Sequence, residues 1–283
     1  MPKYIDTHAH VNFSAYKDDA GEVIKLALDN ETWVVNVGSQ STTSKRALEM
    51  AHEYDEWVYA VVGIHPLHLD KSHHDEEELG PSGPSAGGGG FTSAGETYDH
   101  DFYLPLAQDS KTLAIGEVGL DYHHFNEGDD IEALKTKQKE TLIEFIKLAN
   151  EVEKPLMVHC WDAYDDLLNI LTAYPVTRKG IIHSFVGGFR TAKKFIELGY
   201  YIGMNGVVTY SPDFNRLIKE VPLEWIVSET DCPYLAPGAH KGERNEPLLV
   251  KEVVSHIAKV KELPEEEVRE AVLINGKQIL GLK

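Results

Sequence analysis

Near its start the chain carries Asp6-Thr7-His8-Ala9-His10, two histidines two residues apart. On an extended strand, residues two apart face the same side, so His8 and His10 point together, as two imidazoles must to share a cation. Four further short apolar runs end on titratable residues: Gly116-Glu117-Val118-Gly119-Leu120-Asp121, Val158-His159-Cys160, Ile182-His183-Ser184 and Ser228-Glu229-Thr230-Asp231. Each alone has an ordinary explanation: His159 or His183 as a hydrogen-bonded core histidine, Asp231 as a helix N-cap. Five such endings at equivalent positions point instead to one shared centre. Four imidazoles and two carboxylates, with no cysteine required, suit borderline or hard divalent ions. The natural partition is two ions (Zn, Mg or Mn), one on His8, His10 and Asp231, the other on His159 and His183, with Glu117 bridging them. Two ions ~3.5–4 Å apart generate hydroxide at neutral pH and clamp the attacking and leaving oxygens of a phosphate.

Such residues converge only if the strands that carry them end at one place. Eight β-like segments can be read: Tyr4–Thr7, Trp33–Gly38, Trp57–Gly63, Thr112–Gly116, Pro155–Cys160, Gly180–Ser184, Tyr200–Met204 and Trp225–Thr230. Most are nearly all apolar, as strands buried on both faces should be. Amphipathic stretches alternate with them: Glu22–Asp29, Ser41–Tyr54, Ile131–Val152, Ala163–Thr172, Arg190–Leu198 and Pro212–Lys219, then Pro247–Lys261 and Pro264–Leu273 after the last strand. Strand–helix alternation implies parallel strands with right-handed crossovers. Eight units argue for an α/β (β/α)8 TIM barrel, with a doubly wound open sheet as the alternative. In a TIM barrel the C-terminal strand ends converge on one mouth, where active sites sit. The chain of 283 residues is read as one domain spanning 1–283. Residues 71–101, which include Gly80-Pro81-Ser82-Gly83-Pro84-Ser85-Ala86-Gly87-Gly88-Gly89-Gly90, break the pattern. That composition packs no core, so a flexible insertion after the third strand is expected, either a lid over the mouth or a surface loop.

Apolar residues make up 42 % and charged residues 26 %, the profile of a soluble globular protein. No run reaches the ~20 apolar residues of a membrane span, and no secretory h-region is seen, so a cytoplasmic protein is expected. Cys160 and Cys232 are too few for a disulfide framework and read as reduced, buried thiols. The formal net charge of −19 argues against a grip on a long duplex, which normally needs a basic footprint. It leaves room for a small cation-filled site that takes one strand end. The sequence identifies no stable protein partner.

These motifs together resemble the TatD-family DNases, a branch of the amidohydrolase superfamily. The resemblance rests on Asp6-Thr7-His8-Ala9-His10, Gly63-Ile64-His65-Pro66, Gly116-Glu117-Val118-Gly119-Leu120-Asp121-Tyr122, Ile182-His183-Ser184-Phe185, Glu229-Thr230-Asp231-Cys232-Pro233-Tyr234-Leu235-Ala236-Pro237 and Arg244-Asn245-Glu246-Pro247. It covers essentially the whole chain. The family is known as metal-dependent deoxyribonucleases, some with 3′→5′ exonuclease activity on single strands. The resemblance implies His8, His10, Glu117, His159, His183 and Asp231 as metal ligands, the same set that the strand ends supply. A DNA strand end is the implied substrate. Asp231 would also accept a proton from the attacking water, making Asp231 and Glu117 the catalytic pair, and His65 and Arg244 would hold phosphate. Arg244 could instead pair with an acidic neighbour. Glu229 and Asp121 read as supporting partners of the ligands. Lys241 and His240 add to a small basic group with Arg244.

Three departures from the family pattern bear on substrate. The usual His-x-Arg-Asp-Ala reads His159-Cys160-Trp161-Asp162-Ala163 here, so Trp161 replaces an arginine and either stacks on a base or packs at the rim. The loop after His65 is longer than usual, and Gly238-Ala239-His240 stands where a proline-containing run is common. Two rivals remain: a dinuclear hydrolase of an amide, ester or lactone, which would want an apolar pocket without a phosphate cluster, and a non-catalytic scaffold.

Overall fold

The computed structural model describes residues 2–70 and 95–283, and the backbone alone of 73–74 and 91–92. Eight strands form one parallel sheet in sequence order: β1 (Tyr4–Ala9), β2 (Thr32–Val37), β3 (Val58–Val62), β4 (Thr112–Asp121), β5 (Leu156–Trp161), β6 (Gly180–Ile182), β7 (Tyr200–Met204) and β8 (Ile226–Ser228). A helix follows each strand: α1 (Ala20–Asp29), α2 (Ser41–His52), α3 (His100–Gln108), α4 (Ile131–Glu151), α5 (Tyr164–Ala173), α6 (Phe189–Glu197), α7 (Phe214–Glu220) and α8 (Val250–Lys261), with α9 (Glu265–Leu280) last.

The strands form because their residues are buried on both sides; all six of β2 are. Every strand contributes to a single cluster, through Ile5, Val35, Val61, Ala114, Met157, Ile181, Tyr201 and Val227 among others, which packs with Ile279 and Leu280 of α9. That is how a closed barrel fills its interior. Gly276 lets α9 approach, since a Cβ there would lie 2.9 Å from Ile5 Cγ2.

The seam between β1 and β8 distinguishes a barrel from an open sheet. Thr7 Oγ1 donates to Ser228 O at 3.1 Å, and Ser228 Oγ to Ile5 O at 3.2 Å. Above them Asp231 N donates to His8 O at 2.8 Å and His10 N to Cys232 O at 2.9 Å. Between these layers the buried Asp6 carboxylate accepts from Thr230 N at 2.8 Å and Thr230 Oγ1 at 2.5 Å. The sheet is thus a (β/α)8 TIM barrel, and the open-sheet alternative is set aside.

Three details differ from the sequence expectation. Strand β4 continues past the expected Gly116 to Asp121, so Glu117 lies within it. Helix α3 was not anticipated: Asp99 Oδ1 caps it by accepting from Asp101 N and Phe102 N, and Tyr103 anchors it in the core. It begins inside 71–101, most of which lies outside the described residues. Residues 95–101 of that span are built into the fold: Glu96 N donates to His68 O at 2.7 Å, and the Glu96 carboxylate accepts from Ser41 N and Oγ at the start of α2. Helix α9 also runs a further two turns beyond the Leu273 expected from its apolar pattern. Among the described residues no helix is long and apolar enough to cross a membrane.

Candidate metal centre

At the C-terminal ends of the strands, β1 is irregular between Asp6 and Ala9, where its register with β2 shifts. The result brings His8 Nε2 and His10 Nε2 to 3.0 Å of each other. His10 Nδ1 lies 2.8 Å from Val37 O. A carbonyl only accepts, so in the neutral ring Nδ1 carries the hydrogen and Nε2 presents a lone pair. Phe13 stacks on His10 at 4.3 Å.

The Glu117 carboxylate stands in the middle with its two oxygens facing different histidines. Oε2 lies 3.5 Å from His8 Nε2 and 3.9 Å from His10 Nε2. Oε1 lies 2.6 Å from His183 Nε2, 3.1 Å from His159 Nδ1 and 3.5 Å from His65 Nε2. Asp231 Oδ1 lies 3.3 Å from His10 Nε2 and 3.5 Å from His8 Nε2, on the Oε2 side. Behind the imidazoles stand more carboxylates. His159 Nε2 meets Asp121 Oδ2 at 3.0 Å, and His183 Nδ1 lies 3.7 Å from Glu229 Oε1. Gly203 makes room for Glu229, because a Cβ there would lie 2.5 Å from Glu229 Oε2.

The electrostatics follow from burial and crowding. Burial works to raise Glu117, yet His183, His65 and His8 hold its carboxyl well below the usual range. Burial opposes ionisation of Asp231 too, but a hydrogen bond with His10 and the charges of His8 and His183 bring it down to about 2. Burial lowers His183, and Glu117 and Glu229 more than reverse it, so it sits well above the ordinary imidazole value. A field that draws protons onto buried imidazoles draws a divalent cation in competition with them. The donor set fits such an ion. His8, His10 and Glu117 form one group of converging donor atoms, and Glu117, His159 and His183 another. Among the described residues His8 Nδ1, His183 Nδ1 and Glu229 Oε2 are buried without a hydrogen-bond partner, so the cluster is not a closed network of its own.

The centre opens into a cavity of about 490 Å³. Its lining includes His65, Trp161 and Asp231 together with the apolar Phe13, Leu67, Val186, Val207, Phe214 and Leu235, and among the described residues no lysine or arginine. His65 Nδ1 accepts from Leu67 N at 3.2 Å, which places the hydrogen of the neutral ring on Nε2, toward Glu117. Burial lowers His65 to about 3, so the ring is a neutral donor at the mouth.

Arg244 is not brought to the mouth, and here the expected phosphate contact gives way to its alternative. Its guanidinium donates to both Asp19 oxygens, at 3.0 and 2.6 Å, to Ala15 O and to Glu246 Oε1, and it lies over the Tyr16 ring. Lys241 lies over the Tyr210 ring at 4.6 Å, and His240 is taken by Glu243 and Glu252. The neighbouring Asn245 is buried, and its Nδ2 donates to Thr230 O at 2.9 Å and Tyr234 O at 2.7 Å, holding the turn that presents Asp231. Sequence reasoning did not single out His123 and His124, which pack on Trp161. Their adjacency to Asp121 was the available signal.

Residues 5–281 match the family described as TatD related DNase. YabD of Bacillus subtilis, named as a metal-dependent hydrolase, is 34 % identical over 281 residues, covering 98 % of both chains. Mouse TATDN3 is 30 % identical over 275 residues, covering 96 % of this chain and 86 % of its own. Among solved structures, the TatD homologue YjjV of Escherichia coli superposes with a TM-score of 0.79 at 26 % identity, covering 99 % of each chain.

Proposed function

Since this chain belongs to the TatD-related DNase family, whose members include metal-dependent hydrolases, we propose that it hydrolyses phosphodiester bonds, removing nucleotides from the 3′ end of single-stranded DNA with two divalent cations (Zn, Mg or Mn) at the barrel mouth. The observation that carries the reading is the two-sided Glu117 carboxylate, with Oε2 toward His8 and His10 and Oε1 toward His159 and His183. One ion would rest on His8, His10 and Asp231, the other on His159 and His183, and Glu117 would touch both.

The chain's own groups divide the remaining work. Asp231, an ionised carboxylate beside His8 and His10, would accept the proton of the attacking water once that water is made acidic enough. Divalent cations supply that acidity and offset the charge that builds on non-bridging phosphate oxygens. His65 offers its Nε2–H to a phosphate oxygen as a neutral donor. Asp121 fixes the orientation of His159, Asn245 fixes the turn that carries Asp231, and the Glu229 carboxylate adds negative charge behind His183. Among the described residues no lysine or arginine lines the cavity, so attraction for phosphate is assigned to the bound ions. This favours a single strand end over a long duplex.

The apolar lining, without lysine or arginine among the described residues, also favours a second reading, hydrolysis of an amide, ester or lactone at the same centre. The two separate in one panel of labelled single- and double-stranded DNA, RNA and p-nitrophenyl esters, assayed with Mg²⁺, Mn²⁺ and Zn²⁺. Stepwise shortening of single-stranded DNA from its 3′ end, stopped by chelation, is expected. Ester cleavage with every strand left intact would contradict it and support the carbonyl reading.

A further inference from the structure

Trp161 is a large apolar side chain left 37 % exposed at the end of β5, two residues beyond His159, and it lines the same cavity as Glu117 and Asp231. Two imidazoles pack against the indole and leave part of it facing the cavity. His123 lies parallel to it, ring centroids 4.7 Å apart at 14°, and His124 meets it edge-on at 4.9 Å and 87°.

Both imidazoles are fixed from behind. His123 Nδ1 pairs with Asp162 Oδ2 at 2.8 Å, on the residue that follows the indole. His124 Nδ1 pairs with Asp121 Oδ2 at 2.9 Å, and that same oxygen meets His159 Nε2 at 3.0 Å. The shared carboxylate ties the aromatic rim to a histidine of the proposed metal centre. The indole therefore stands at a set distance from the place where a phosphate would be cut.

We infer that Trp161, braced by His123 and His124, is the seat of the base of the nucleotide being removed; this rests on the phosphodiester reading above. Among the described residues the cavity offers a base no lysine or arginine, and its apolar walls and indole suit a flat, uncharged ring. Every base has a π-face, so the rim selects for the presence of a base and tolerates its identity. Bracing lowers the ordering cost of the contact, which is why His123 counts as a positioning residue and Trp161 as the contact itself.

The test compares single-stranded oligonucleotides whose 3′-terminal nucleotide either carries its base or is a tetrahydrofuran abasic residue. KM and kcat are measured separately on the Mn²⁺-loaded full chain. Wild type should show a KM for the base-bearing end lower by about 5- to 150-fold, the scale of one base–aromatic stack. Trp161→Ala should bring the ratio of the two KM values close to one, Trp161→Phe should restore most of it, and His123→Ala should reduce it in part. A role confined to packing would shift both substrates together and leave the ratio unchanged. Strands cut without base discrimination by wild type, or full discrimination retained by Trp161→Ala, would overturn this inference alone. Strands left uncut at both kinds of end would overturn it together with the phosphodiester reading.

Discussion

His65 carries its argument in its two ring nitrogens. One accepts a backbone hydrogen bond from Leu67, the other faces Glu117, and burial keeps the ring neutral, with a value of about 3. The unfolded chain would protonate the same ring near 6.5, so between these values the folded state binds one proton fewer. Stability is therefore lost as pH falls from about 6.5 toward 3. In cation-stripped protein, His65→Gln should remove that loss, flattening the acid limb by up to ~1.4 kcal/mol per pH unit in urea unfolding. Identical slopes would contradict the neutral assignment. At this scale, the residues at strand ends were legible because the period-two pattern and the end of each apolar run locate them without any long-range information. Arg244 was not, because what decides its role is Asp19, 225 residues earlier in the chain. The Trp161 environment was equally hidden, since His123 and His124 reach it from a different strand end.

Between single residues and the barrel lies the β1–β8 seam, which carries three groups of the centre. Asp6 is fully buried, and burial pushes its carboxyl well above the usual range against the pull of its Thr230 hydrogen bonds. Its partners connect the two strands that present His8, His10 and Asp231. Thr230→Val keeps the side-chain shape and removes the Oγ1 donor, so it should cost ~1–3 kcal/mol of stability, the scale of a buried acceptor losing a partner. A melting temperature equal to wild type would mean the seam does not depend on this pair. All eight strands could be read from their apolar runs, because parallel strands covered on both faces leave little room for polar residues. Helix α3 escaped notice because it contains Pro105 and follows a glycine-rich stretch, both of which argue locally against a helix. Its formation rests instead on the Asp99 cap and on Tyr103 packing edge-on against Phe145 of α4 at 5.1 Å, which is tertiary context.

For the molecule as a whole, the contrast is between a chain of formal net charge −19 and a substrate proposed to be anionic. Like charges repel at long range, and among the described residues the cavity contributes no lysine or arginine to reverse this. Sequence alone favoured phosphate partly through Arg244 and Lys241; the fold directs both elsewhere, and the family match together with the carboxylate–imidazole centre now supports that reading. Everything then depends on cations held around Glu117. The most direct test counts Mn²⁺ bound per chain, after stripping and reloading, alongside shortening of a single-stranded oligonucleotide, for wild type and Glu117→Gln. Wild type should bind two ions and shorten the strand. The variant should bind one at most and lose more than the ~10- to 100-fold that removal of a mere supporting partner costs. A Glu117→Gln protein that keeps both ions and its full rate, or a stripped wild type that still shortens the strand, would contradict the account.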